Sequence, residues 1–214
     1  DLDEEFSLFI DEDNPDNILF IYPRCLDDEA YGDANYVKPV VLIETGTKAA
    51  HEPVDEISIS PLITQSDSVA DAAPSIADDC TTVRTLRIER TFWEKITFLH
   101  QQNSSNAPDK VKDRLSRHLY DIAMISFSEH GEDCLETLDL LSEVAQHKSV
   151  YFKQGGVDYM EACNGGLRLV MTSEMEAAFR ADYERMDEMF YGDVPEFDEI
   201  VAELRRIEEV VNQA

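Results

Sequence analysis

The apolar periodicity of this chain changes once, near Thr91, and that change limits what it can fold into. Before Thr91 the apolar residues come in short runs bounded by Asp, Asn, Pro and Ser, the pattern of strands and turns. After it they recur every three or four residues, the pattern of helices with one buried face. The spacing predicts strands at Phe6–Ile10 and Ile18–Tyr22, separated by a turn over Asp11–Asn17. Val40-Val41-Leu42-Ile43-Glu44 follows Pro39 and reads as a strand buried on both faces, because its apolar run is nearly continuous. Ile57–Ile59 and Val83–Ile88 are further strands, and Thr64–Thr82, rich in Ser, Ala and Asp, reads as a surface connection.

Thr91 and Glu94 have the spacing of a capping box, which predicts a helix from Phe92 to about Gln102 with Phe92, Ile96 and Leu99 on one face. Pro108 is expected to open a second helix, with Val111, Leu115, Leu119 and Ile122 as its apolar stripe. Leu135–Ala145, Glu174–Phe190 and Phe197–Val211 have helical spacing, broken at Gly155-Gly156, Gly165-Gly166 and Gly192. The expected architecture is α+β: a mixed sheet with helices over residues 1–127, then a helical C-terminal domain over 128–214. There is no internal repeat.

Composition excludes several classes. No apolar run approaches the roughly 20 residues of a membrane-spanning helix, and no basic-then-apolar signal peptide opens the chain. Cys25, Cys80, Cys134 and Cys163 form no C-x-x-C pair and have no His at ligand spacing, so reduced thiols in a cytosolic protein are expected. Gly46-Thr47-Lys48 lacks the G-x-x-x-x-G-K-[ST] of a phosphate loop. The chain begins at Asp1 rather than Met and is expected to be processed or truncated.

The 214 residues carry a net charge of −28, which repels nucleic acid and anionic membranes at long range. Positive charge is nevertheless concentrated. Arg84, Arg87, Arg90, Lys95, Lys110, Lys112, Arg114 and Arg117 lie within residues 84–120, among only four acids. Two readings stay open: solvated helix faces, or an anion site with several of these side chains lining one cleft. Three positions stand out for chemistry. Glu44 ends an apolar strand, where a carboxylate is costly unless it is paired, hydrated or bound to a metal. Lys95 falls in the first turn of the expected helix, where free N–H groups favour an anion and a phosphate would suit the pair. Arg117 and Asp121 are four apart and share a helix face, either as an ion pair or as site residues.

Thr91-Phe92-Trp93-Glu94-Lys95 followed by Arg117-His118-Leu119-Tyr120-Asp121 closely resembles the third and fourth motifs of the AbiEii/AbiGii toxin family of nucleotidyltransferases. Val40–Glu44 with Gly46, then His51-Glu52-Pro53, is similar to its second-motif strand and turn. His147-Lys148-Ser149, Met171-Thr172, Asp182–Met186 and Pro195-Glu196-Phe197 are similar to its helical C-terminal part. The resemblance implies a fold of the DNA polymerase β nucleotidyltransferase type and a role as a bacterial abortive-infection toxin paired with an antitoxin. It implies transfer of a nucleotidyl group from a nucleoside triphosphate to an RNA hydroxyl, transfer RNA above all, or to a protein hydroxyl, with Mg2+ as cofactor. By motif, Glu44 is the metal-side carboxylate, Lys95 contacts the phosphates and Asp121 completes the catalytic site. Arg117, His118 and Arg90 are carried over as further phosphate-side residues.

The sequence departs from the family pattern in two places. It contains no Gly-Ser dipeptide to open the first motif, and Asp1-Leu2-Asp3 stands so close to Glu44 that it reads as a false match for the Asp-x-Asp pair. Leu42 occupies the position where members often carry Lys. A degenerate, non-catalytic relative that binds a nucleotide or protein is therefore the alternative reading.

Overall fold

The computed structural model describes residues 6–22, 40–46, 50–61, 80–105, 111–190 and 192–214. The protein is α+β. Strands β1 (Ser7–Ile10), β2 (Asn17–Ile21) and β3 (Val40–Glu44) form an antiparallel sheet in the order β1-β2-β3. The Asp-rich turn before β2 closes as its composition predicts. Asp13 N–H donates to Asp11 Oδ1 at 3.0 Å, and Asn17 N–H donates to the Asn14 carbonyl at 2.9 Å. A second antiparallel pair, β4 (Val54–Ile59) and β5 (Thr81–Leu86), sets Val54 opposite Leu86.

The helices are α1 (Ile88–Ser105), α2 (Arg117–Phe127), α3 (Gly131–Glu136), α4 (Leu138–Tyr151), α5 (Ser173–Tyr183) and α6 (Phe197–Gln213). Short 3-10 turns occupy Tyr159–Cys163 and Glu184–Met189. A single core joins them. Phe92, Trp93, Ile96 and Leu99 of α1 and Leu119 and Ile122 of α2 meet Val144 of α4, Phe179 of α5 and Ile200 and Ile207 of α6. All are fully buried, each contributing about 2 kcal/mol by leaving water. This core draws on residues from both sides of position 127.

Three expectations are corrected. The helix starts at Ile88, not Phe92, because Thr91 N–H already bonds the Arg87 carbonyl at 3.1 Å. Thr91 is thus inside the helix, and the apparent capping box is not one. The segment at Val111–Leu115 is not helical; α2 begins at Arg117, and Pro108 lies outside the described residues, as does most of the Thr64–Thr82 connection. Val41–Glu44 is exposed rather than buried on both faces. β-branched residues favour a strand whether or not it is covered, so the run reports strand formation, not burial. The helical breaks at Gly156, Gly165 and Gly192 do occur, each with positive φ.

One buried carboxylate fixes where α2 begins. Asp182, only 1% exposed, accepts from Arg114 N–H and Ser116 N–H at 2.9 Å each, and from Ser116 Oγ at 2.5 Å. Arg114 adopts φ 70°, a left-handed conformation that costs a non-glycine residue about 1 kcal/mol, so these bonds hold a turn that would not persist alone. Asp182→Ala removes the acceptor of three donors, the two of Ser116 buried, and should cost about 3 kcal/mol, with Asp182→Asn losing less. Urea denaturation is the measurement, and an unchanged midpoint for Asp182→Ala would remove this role.

Candidate functional site

Helices α1 and α2 meet along matching i, i+3 pairs. Lys95 and Phe98 share a face of α1, and His118 and Asp121 share a face of α2. Lys95 Nζ donates to Asp121 Oδ2 at 2.6 Å, while the Phe98 and His118 rings stand 4.5 Å apart. The earlier residue of one helix meets the later residue of the other, so the two run antiparallel through this contact. Lys95 is the eighth residue of α1, not part of its first turn. Its placement therefore owes nothing to the helix N-terminus; its counter-charge is the Asp121 carboxylate.

The ion pair stands where two cavities adjoin. One, of about 640 Å³, is lined by Asp55, Arg87, Thr91, Lys95, Asp121, Met124 and His130 among others. The other, of about 450 Å³, lies between α1, α2 and α4 and is lined by Thr91, Glu94, Lys95, Phe98, His118, Val144, His147, Lys148 and Phe152 among others. Lys95 lines both. The first mixes charges of both signs. The second carries Lys95 and Lys148 against one carboxylate, that of Glu94, which is already bonded to Arg90 Nε at 3.0 Å.

The remaining sequence candidates are dispersed. Arg90 is buried, bonded to Glu94 and to the Glu52 carbonyl at 3.1 Å, and lines neither cavity. Arg117 is exposed at the start of α2 and also lines neither. Glu44 stands exposed at the end of β3, opposite Asn17, and is not among the residues around Lys95 and Asp121. Among the described residues of the basic island, Arg87 and Lys95 reach these cavities, fewer than an anion site with several of these side chains lining one cleft requires. Nearby acids explain this: Arg84 pairs with Glu52, Arg87 with Glu89 and Asp55, and Arg90 with Glu94. Among the described residues no three His, Cys, Asp or Glu side chains come together to hold a metal ion, and Asp121 is already engaged by an ammonium.

Lys148, which lines the second cavity, is not among the site residues that the sequence suggests. Its string, His147-Lys148-Ser149, is visible in the sequence, but no spacing connects it to Lys95 more than fifty residues earlier. Lys148 Nζ donates to the Glu94 carbonyl at 2.7 Å. Burial, with help from the Arg90 charge, pushes its ammonium down to about 8 against the pull of Glu94.

His118 is pushed down to about 4, first by burial and then by the Lys95 and Arg117 charges, so its imidazole is neutral near pH 7. Its Nδ1 is buried without a hydrogen-bond partner among the described residues. The unfolded chain takes up this proton near 6.5 and the folded one only near 4. The His118 contribution to stability is therefore complete above 6.5 and is lost as pH falls through about 4. Thermal melts at about pH 7 and about pH 5 should show a smaller acid-induced drop for His118→Gln than for the wild type. Equal drops would mean that the imidazolium is accommodated in the fold.

The profile described as "Nucleotidyl transferase AbiEii toxin, Type IV TA system" matches residues 4–203. No curated protein and no solved structure matches the chain. A match over nearly the whole length, carrying the Lys95 and Asp121 strings whose side chains meet in the fold, makes the chain a member of the AbiEii family of nucleotidyl transferase toxins of type IV toxin–antitoxin systems.

Proposed function

We propose that the protein transfers a nucleotidyl group from a nucleoside triphosphate to an RNA hydroxyl, with transfer RNA as the first acceptor to test. The observation that carries this reading is the Lys95–Asp121 pair, 2.6 Å apart where two cavities adjoin. An ammonium beside a carboxylate supplies the two charges the reaction uses. The acceptor oxygen attacks the α-phosphorus, the α–β bridging bond breaks, and pyrophosphate leaves with the electron pair. Lys95 exchanges its carboxylate for phosphate oxygens and offsets the charge that develops on them. Asp121, released from the ammonium, is the acceptor for the hydroxyl proton.

Magnesium would offset triphosphate charge through oxygen ligands, and the reaction is expected to need it. The described residues do not by themselves build a three-ligand site for that ion. The protein's −28 charge opposes RNA at long range, so recognition of the acceptor rests on short-range contacts around the cavities. The partner that a toxin–antitoxin family implies is a cognate antitoxin.

The test is incubation of the full-length protein with each labelled nucleoside triphosphate and total transfer RNA, with magnesium or with chelator. Lys95→Ala and Asp121→Ala should each lower labelling by about a hundredfold or more. Because the pair is only partly buried, each substitution should cost on the order of 1 kcal/mol, roughly 3 °C in melting temperature. Full activity in Lys95→Ala would remove its phosphate role. A wild type inactive with every nucleotide would favour the non-catalytic relative.

A further inference from the structure

We propose that Lys148 is a second cation of the nucleotide site, holding the polyphosphate of the triphosphate together with Lys95 in the cavity between α1, α2 and α4. The inference rests on the transferase reading above and extends it to a residue outside the Lys95 and Asp121 strings. Four observations support it.

Lys148 and Lys95 line the same cavity, from different helices. Lys148 Nζ has one hydrogen bond among the described residues, to the Glu94 carbonyl, so two of its N–H bonds have no acceptor there. The one carboxylate in the lining, Glu94, is taken by Arg90, so Lys148 is a half-buried cation without its own counter-ion among the described residues. Withdrawing such a charge from water is costly, and an arriving anion relieves the cost; the same desolvation is the main cause of the lowered Lys148 pKa, with the Arg90 charge adding to it and Glu94 opposing it. Finally, the chain is strongly acidic, yet this lining has more basic than acidic side chains. An ammonium without its own carboxylate there fits a polyanion better than it fits a structural tie, which an uncharged donor to the Glu94 carbonyl would serve. Lys95, by contrast, has Asp121 and stands at the junction of both cavities, where chemistry on the α-phosphorus can reach an acceptor.

The probe is inorganic tripolyphosphate, titrated calorimetrically into the full-length protein at low ionic strength, alongside transfer kinetics with the nucleoside triphosphate. Lys148→Met removes charge and donor. Lys148→Gln keeps a donor for the Glu94 carbonyl and removes only the charge, which guards against a folding defect; melts accompany both. Both variants should bind tripolyphosphate about tenfold more weakly, and Lys148→Arg should stay within about threefold of the wild type. KM for the triphosphate should rise in step while kcat changes little, whereas Lys95→Ala loses kcat. Unchanged tripolyphosphate affinity in Lys148→Gln, or no binding by the wild type, overturns the proposal. An unchanged KM in an active Lys148→Gln enzyme also overturns it and leaves the transferase reading standing. Weakened tripolyphosphate binding in Lys148→Gln, beside a wild type that transfers nothing, keeps Lys148 as an anion site and removes the transferase instead.

Discussion

A helix buried on most of its circumference carries a cost for every polar side chain it leaves unpaired, and α1 is such a helix: none of its residues is exposed. Its apolar positions fill the core, but Arg90, Thr97, His100, Gln102 and Asn103 are buried too. Each must find a partner or leave a desolvated group unpaired, at a cost of about 1–3 kcal/mol. Thr97 Oγ1 donates back to the Trp93 carbonyl of α1 itself, and Arg90 Nη2 and Asn103 Oδ1 have no partner among the described residues; the other partners come from distant parts of the chain. Arg90 reaches the Glu52 carbonyl, Trp93 Nε1 donates to Thr137 Oγ1, and Asn103 Nδ2 donates to the Arg168 carbonyl. His100 accepts from Arg168 N–H at Nδ1, which fixes its other nitrogen as the donor to the Asp158 carbonyl. These bonds set the rotation of α1, and so decide that Lys95 and Phe98 face α2.

The second half of the site is set from the opposite direction. Asp182 of α5 gathers the backbone before α2, so the first turn of α2 is anchored by a residue more than sixty positions away. A carboxylate held by two N–H groups and a hydroxyl has its charge spread over directed bonds, which is what makes its burial tolerable. With α1 fixed by its polar partners and α2 by Asp182, the Lys95–Asp121 distance follows from tertiary structure on both sides. The pair itself adds little stability, being partly exposed. It is positioned by the fold and only partly buried, so its position does not depend on the pair's own strength.

What the sequence made legible was local. The strands at β2, β3 and β5 and the buried faces of α1 and α6 follow from alternation and from three-to-four spacing, because those patterns are consequences of backbone geometry. The start of α1 was not legible. Thr91 and Glu94 have the letters of a cap, but Arg90 reaches Glu94 one turn along the helix, and Arg87 provides the carbonyl that makes Thr91 internal. Motif resemblance singled out Lys95 and Asp121, whose side chains meet, whereas spacing suggested Arg117 as the partner of Asp121. The actual partner lies on another helix, beyond what any local pattern encodes. The proximity of Lys148 to Lys95 in one cavity lies beyond local pattern for the same reason. Glu44 shows the converse case, a residue on a correctly read strand that does not join the pair.

The acidity of the chain finally explains why so few cations remain for the site. Arg84, Arg87, Arg180, Arg185 and Arg206 are each drawn to a carboxylate within reach. Lys112, Arg117 and Lys153 also have no carboxylate partner among the described residues, but they are exposed to water, whereas Lys148 is half-buried and its case needs a structural cause. For Lys148 the cause is enclosure: α1 offers it a carbonyl, and Arg90 has already taken the nearest carboxylate. Local charge is then governed by which acids the fold has committed elsewhere, not by the net total. An anion that the whole protein repels at long range can still be favoured within that cavity, because screening confines the repulsion from distant acids to roughly 8–10 Å, whereas contact with an enclosed ammonium is weakened much less.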